Sequence, residues 1–179
     1  KKMIRTAAAC GVDFVKFQKR DLASVKNPDA PRYDEHSFGK TNYEHRKALE
    51  FDKGQWEDLA LDAKRCGIGM FAPPFDIKSL DFCVNVMKFD ILKLGSTQIH
   101  DSEMMEAVHG TARAMTVILS TGMCDRKKIS DAVWFVNLTA RLVIMQTTSA
   151  YPCNCEDVHL NVIPVLKGWY NEVGLSGHY

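Results

Sequence analysis

An α/β fold built on a parallel sheet is predicted by two features of this chain. Apolar, strand-like runs alternate with helical patterns from end to end, and at least six such runs occur, each separated from the next by one helix. A third feature narrows the class: no glycine-rich phosphate fingerprint follows any of the runs, which disfavours a dinucleotide-binding sheet. On residue pattern alone, an open doubly wound sheet and a closed eight-stranded barrel both fit.

The elements follow in order. Residues 1–10 suit a helix stopped by Gly11, and residues 12–18 suit a strand. Residues 19–50 form a long polar stretch carrying Pro28, Pro31 and Gly39. A stretch of that length reads as a lid or substrate-binding arm, or else as a disordered insertion, and Tyr33, Phe38 and Tyr43 favour the ordered arm. Asp52, with Gln55 three residues on, caps a helix over 53–66 that stops at Gly67. A strand is expected over 68–73, and a helix from Asp76 to about Met87. Strands over 90–95, 115–121 and 141–147 alternate with helices over 102–109, from Asp125 to about Leu138, and over 156–168; a last strand starts at 171–176.

Composition excludes several classes of function. The 179 residues are 46% hydrophobic and 25% charged, with a formal net charge of +1. Nothing in that balance suggests a nucleic-acid or membrane-surface binder, so an anionic ligand must be met by a local cluster of positive charge. The six cysteines, Cys10, Cys66, Cys83, Cys124, Cys153 and Cys155, lack zinc-ligand spacing and read as free thiols of a reducing, cytoplasmic compartment. No apolar run reaches membrane-spanning length and no signal peptide opens the chain. The sequence opens in a helical pattern with no preceding strand and stops in mid-pattern, as expected of a piece of a longer protein.

In parallel β/α folds ligands bind beyond the C-terminal ends of the strands. Those ends deliver Lys16 and Gln18; Pro73 and Pro74; Lys93 with Ser96, Thr97 and Gln98; Ser120 and Thr121; Gln146, Thr147, Thr148 and Ser149; and Ser176 with His178. Lys16 and Lys93 sit in otherwise apolar strands, where an ammonium needs an anion or a polar cavity unless it snorkels to the rim. With hydroxyls following on the same strands, an anion site is the favoured reading of the two lysines together. The serines individually also suit turn chemistry. His178 reads as structural or as a metal ligand or acid–base group. His36, His45, His100, His109 and His159 fall in polar stretches or helices and read as solvated.

Val15-Lys16-Phe17-Gln18, Leu49-Glu50-Phe51, Lys93-Leu94-Gly95-Ser96, Ile118-Leu119-Ser120-Thr121-Gly122-Met123, Thr148-Ser149-Ala150-Tyr151-Pro152 and Gly174-Leu175-Ser176-Gly177-His178 occur in that order. Together they resemble the sialic acid synthase family. Gly39-Lys40-Thr41 followed by Glu44-His45, and the Ser-Gly-His ending, are most similar to its animal branch. The resemblance covers essentially the whole chain. It implies a TIM (β/α)8-type barrel, incomplete here, with the first strand, the last β/α elements and a C-terminal antifreeze-like domain lying outside this sequence.

The implied reaction condenses phosphoenolpyruvate with N-acetylmannosamine or its 6-phosphate, giving sialic acid or its 9-phosphate. A divalent metal, Mn2+ or Mg2+, is implied as cofactor with His178 as one ligand, and a homodimer is implied for the full-length protein. By the same resemblance Lys16, Lys93 and Gln98 fall on catalytic positions. Lys16, Lys93, Ser96, Ser120 and Ser176 supply cations and donors to phosphoenolpyruvate; Ser149 lies near both substrates; Gln18 and Tyr151 contact the sugar. The sequence departs from the family at Gln98, where relatives carry an acid, and at Pro73, where bacterial forms carry a threonine. Two other functions compete on these residues: a synthase for a related nine-carbon sugar acid, and, because Gln98 cannot take up a proton at neutral pH, a non-catalytic barrel that binds an anionic sugar or a protein partner.

Overall fold

The computed structural model describes residues 1–32, 38–111, 115–136 and 141–178, so Tyr33, His36 and Leu138 lie outside the described residues. The chain divides into two compact units, residues 1–88 and 89–179.

The first unit comprises α1 (Lys2–Ala9), β1 (Phe14–Lys16), α2 (Asn42–Leu49), α3 (Lys53–Arg65), β2 (Gly69–Phe71) and α4 (Ile77–Asp81). The strands β1 and β2 run parallel, with Phe14 opposite Gly69 and Lys16 opposite Phe71. Their ladder continues past both ends: Phe17 N donates to Phe71 O, Lys19 N to Pro73 O and Phe75 N to Lys19 O. A Cβ added at Gly69 would lie 2.2 Å from the Phe14 ring, so a larger residue there would displace that ring. The expected stops are present, with Gly11 at φ +78° and Gly67 at φ +74°, the left-handed conformation that closes a helix. Asp52 and Gln55 form the expected capping box of α3. Asp76 caps α4, which runs on into one wide π-type turn over Phe82–Val86.

The core of this unit follows from the apolar faces of α1 and α3. Ile4, Leu59 and Ala63 are buried against Val15, Phe17, Phe51 and Met70. Trp56 is fully buried and meets Phe17, Phe51 and Phe82 edge to face, the arrangement favoured by ring quadrupoles. The reading of 19–50 as a stretch without helix is corrected: α2 occupies Asn42–Leu49. Thr41 Oγ1 accepts from Glu44 N at 3.2 Å while Glu44 Oε2 accepts from Thr41 N at 3.1 Å, so both ends of the capping box are satisfied.

The second unit comprises β3 (Ile91–Leu94), α5 (Ser96–Ile99), α6 (Ser102–Thr111), β4 (Thr116–Ser120), α7 (Arg126–Val136), β5 (Arg141–Thr147), α8 (Val162–Lys167) and β6 (Val173–Ser176). Its four strands are parallel in the order β3-β4-β5-β6. A doubly wound sheet reverses its strand order at a switch point, whereas a barrel adds each strand beside the last. The sequential order therefore selects the barrel-type arrangement from the two that the residue pattern left open. One face of the sheet carries Leu92, Leu94, Val117, Leu119 and Ile144, all fully buried. The other carries Lys93, Ile118, Val143 and Met145, all half-buried.

Two expectations are corrected in this unit. Ser96–Ile99 is a short helical turn rather than a plain strand end. The helix read over 156–168 is broken: a 3-10 turn over Cys155–Val158 ends at His159, whose φ of +52° stops it, and α8 begins at Val162. All six cysteines are free thiols. Among the described residues no helix is long and apolar enough to cross a membrane.

Trp56→Ala is expected to lower unfolding free energy by about 3–5 kcal/mol in urea titrations, the usual cost of deleting a fully buried aromatic. Asp62 gives a pH-dependent counterpart. Its carboxylate bonds the Arg5 guanidinium at 2.8 Å, and that hydrogen bond holds its pKa below the ordinary value. A lowered folded-state pKa contributes stability that is present above the unfolded value, about 3.9, and lost as pH falls through the folded one. Asp62→Asn is therefore expected to lose stability at neutral pH and to show a shallower further decline on acidification below about pH 4.

Candidate anion site at the strand ends

In the second unit Lys93 Nζ donates to Ser176 Oγ at 3.0 Å. These residues stand on β3 and β6, the two outer strands of a four-stranded sheet. Three inter-strand spacings span about 14 Å in a flat sheet. A lysine reaching a serine side chain across two intervening strands requires the sheet to curl strongly toward that face. Ser120 lies on the same face of β4 and is 3% exposed. One ammonium and two hydroxyls thus share the concave face at the strands' C-terminal ends.

Two more of the expected serines meet above the end of β4. Gly122 is buried, and a Cβ added there would lie 2.3 Å from Ser149 Oγ and 2.6 Å from Ser96 Oγ. Position 122 must lack a side chain for these hydroxyls to converge. Gly122 was visible in the sequence only as part of a motif; its role appears when the ends of β3, β4 and β5 are seen together. Thr121 holds the turn in place, its backbone N and its Oγ1 both donating to Met145 O. Thr148 Oγ1 donates to Asp157 O at 2.6 Å, which ties down the loop that carries Ser149.

Gln98 is 6% exposed, and its Oε1 accepts from Gly95 N at 2.9 Å. The amide oxygen is committed to the turn that presents Ser96. Tyr151 is 70% exposed, and its ring centre lies 4.2 Å from that of His178. The His178 backbone is anchored by Cys153 N donating to its carbonyl at 2.7 Å. Among the described residues no group of three or more His, Cys, Asp or Glu could hold a metal ion. A metal held by His178 would need ligands beyond the described residues, and no chemical step is assigned to a metal below.

In the first unit Lys16 and Gln18 are exposed at the end of β1, so Lys16 is not the buried cation that its apolar strand suggested. Partial desolvation still pushes its ammonium pKa below the ordinary value. The buried cation here is the next lysine along. Lys19 Nζ bonds Glu50 Oε1 at 2.8 Å with both side chains largely buried, and it faces the Phe82 ring at 5.1 Å. Neither Lys19 nor Glu50 was singled out as a pair in the sequence, where they stand far apart. Of the histidines read as solvated, His109 is exposed and bonds Phe135 O while stacking on Trp134, and the half-buried His45 accepts at Nδ1 from Phe38 N.

The family model described as the NeuB family matches residues 3–179. The chain is 33% identical over 184 residues to the N-acetylneuraminate-9-phosphate synthase of Mus musculus, covering 99% of this chain and 50% of that protein. It is 30% identical over 189 residues to the N,N'-diacetyllegionaminic acid synthase of Legionella pneumophila, covering 99% and 52%. The crystal structure of N-acetylneuraminic acid synthetase from Leptospira borgpetersenii in complex with citrate superposes with a TM-score of 0.80 at 27% identity, covering 99% of this chain and 58% of that one. A truncated 3-deoxy-D-arabino-heptulosonate 7-phosphate synthase from Thermotoga maritima shares the fold at a TM-score of 0.64 and 11% identity, covering 97% and 58%. The chain spans about half the length of the synthases that it matches.

Gly122→Ala forces its methyl into both serine hydroxyls and is expected to lower stability by about 1–3 kcal/mol, as overpacking usually does. Gly110→Ala, in α6 with nothing within 4 Å, is the matched control and is expected to raise stability by about 0.5–1 kcal/mol. Thermal and urea unfolding of the two variants measure both effects.

Proposed function

The chain belongs to the NeuB family, and on that footing we propose that the whole protein joins phosphoenolpyruvate to an N-acylmannosamine-type sugar, N-acetylmannosamine or its 6-phosphate, and releases phosphate. The observation that carries this reading is the Lys93–Ser176 bond on the concave face beside Ser120, a cation with hydroxyl donors at the strand ends. An anion entering there exchanges a neutral hydroxyl partner for charge-assisted hydrogen bonds from the same ammonium.

In this reading the C3 carbon of phosphoenolpyruvate attacks the aldehyde carbon of the open-chain sugar. One carbon–carbon bond forms and the aldehyde oxygen gains a proton. Water adds at C2, and the tetrahedral centre then expels phosphate by C–O cleavage, leaving the keto acid. Lys93, Ser120 and Ser176 hold the anionic groups of phosphoenolpyruvate, and fixed donors of this kind stabilise charge without reorganising during the reaction. Ser96 and Ser149, brought together over Gly122, donate to the same substrate. Gln98 is a positioning residue that acts through the Gly95–Ser96 turn. Tyr151 contacts the sugar, and in the first unit Lys16 and Gln18 keep the roles that their motif implies.

A second reading keeps the chemistry and changes the sugar, giving a nine-carbon relative of sialic acid. The 30% identity to a diacetyllegionaminic acid synthase favours it. Mass analysis of the product formed from each candidate sugar decides between them.

Titrating phosphoenolpyruvate calorimetrically into the full-length protein is expected to show saturable binding. Lys93→Ala is expected to weaken it roughly tenfold to a hundredfold, the loss of one charged hydrogen bond, and Ser120→Ala by less. Absence of binding in folded protein, or binding indifferent to Lys93, would overturn the assignment.

A further inference from the structure

Four non-glycine residues among those described hold the left-handed backbone conformation: Asn27, Lys88, Met123 and His159. Asparagine tolerates it. Lys88 and His159 are exposed polar residues just past a helical turn, where a left-handed residue closes the ladder. Met123 has neither explanation. It stands at φ +61° in the turn Thr121–Cys124, which Cys124 N closes by donating to Thr121 O at 3.1 Å. Gly122 before it is not left-handed. Positive φ at the third residue alone is the mark of a type II turn, whose third position favours glycine or asparagine.

The methionine is also unpacked. Thr121 and Gly122 are buried and Cys124 is half-buried, yet Met123 is 67% exposed. Its frame is fixed from both sides. Thr121 N and Oγ1 donate to Met145 O, while Cys124 Sγ donates to Gly122 O at 3.5 Å and meets His100 Nε2 at 3.6 Å. A strained residue persists where its surroundings over-determine it, and such residues cluster where ligands are clamped. Here the backbone is held, and the apolar side chain recovers little of the strain by burial within the described residues. A bound apolar group would recover it.

The position of the turn says which group. Gly122 lies where the Ser96 and Ser149 hydroxyls converge at the end of β4, so Met123 stands at the rim of the candidate anion site. The anionic groups of phosphoenolpyruvate are met by Lys93, Ser120 and Ser176, and its C3 carbon must stay open to the aldehyde. The sugar brings hydroxyls and one apolar group, the methyl of its N-acyl substituent. A flexible, polarisable thioether suits a group of that size.

We propose that Met123 is a specificity-determining residue, held in the left-handed position of its turn so that its thioether packs on the acyl methyl of the N-acyl sugar. This rests on the condensation proposed above. It adds that selection for the acyl group is made at the end of β4.

The test uses the full-length protein with phosphoenolpyruvate and either N-acetylmannosamine or N-butanoylmannosamine. Met123→Gly is expected to lower kcat/KM for the N-acetyl sugar roughly fourfold to fortyfold through KM, the loss of a small apolar contact. The ratio of N-butanoyl to N-acetyl kcat/KM is expected to rise, because the missing side chain leaves room for the longer acyl group. Met123→Leu is expected to stay within about fivefold of the unsubstituted protein. The Met123→Gly unfolding midpoint is expected at or above that of the unsubstituted protein, since glycine takes the left-handed position without strain, and its calorimetric affinity for phosphoenolpyruvate is expected to be unchanged. An unmoved KM, an equal loss with both sugars, or weakened phosphoenolpyruvate binding would overturn the inference while the condensation stands. Turnover of neither sugar by the unsubstituted protein would count against the condensation instead. In that case calorimetric binding of N-acetylmannosamine in the presence of phosphoenolpyruvate supports the contact if Met123→Gly weakens it, and overturns it if binding is absent or unmoved.

Discussion

The Lys93 ammonium reaches Ser176 only because the four-stranded sheet of the second unit curls, and the candidate anion site depends on that curvature. Parallel strands twist with a fixed hand, and successive strands added in sequence order accumulate that twist in one direction. The buried outer face sets the register: Leu94, Leu119, Ile144 and Val173 lie in one row, so Lys93 and Ser120 must point the other way. A slip of one residue would bury the ammonium among the leucines. The position of the cation is therefore a consequence of hydrophobic burial on the opposite face.

Polar groups at the strand ends are held by short-range commitments. Gln98 closes the Gly95 turn, Thr121 grips Met145 O, and Thr148 grips Asp157 O. Each bonds a backbone group at or beside the strand ends. The same bonds fix the segments carrying Ser96, Gly122 and Ser149. The absence of a side chain at Gly122 is as much a part of the site as the serines, since any Cβ would separate their hydroxyls.

The first unit is organised around Glu50. Its oxygens collect Lys19, the Arg20 backbone and the Trp56 indole, joining the end of β1 to the start of α3. A buried ion pair of this kind is costly to desolvate and contributes little net stability, but removing one partner strands the other. Here the pairing has a second effect. It commits both carboxylate oxygens beside a pocket of the first unit that Arg20 and Arg46 also line.

The sequence by itself determined the class of fold, the places where α1, α3 and α7 begin or end, and most of the residues that gather at the strand ends. Those are local or periodic properties: the Asp52–Gln55 box, Gly11 and Gly67, and lysines set in apolar runs all act within a few residues. The helix α2 was equally local, since Thr41 and Glu44 spell its cap, and it was passed over because its face is polar rather than periodic. Only the tertiary structure decided between open sheet and barrel, because strand order is not written in strand pattern. It also decided that Lys19 rather than Lys16 is the buried cation, that Gln98 bonds the Gly95 turn, and that Arg20 and Arg46 line one pocket. Those outcomes depend on pairings between residues distant in the chain, which form only when the packed elements bring them within hydrogen-bonding or Coulombic range.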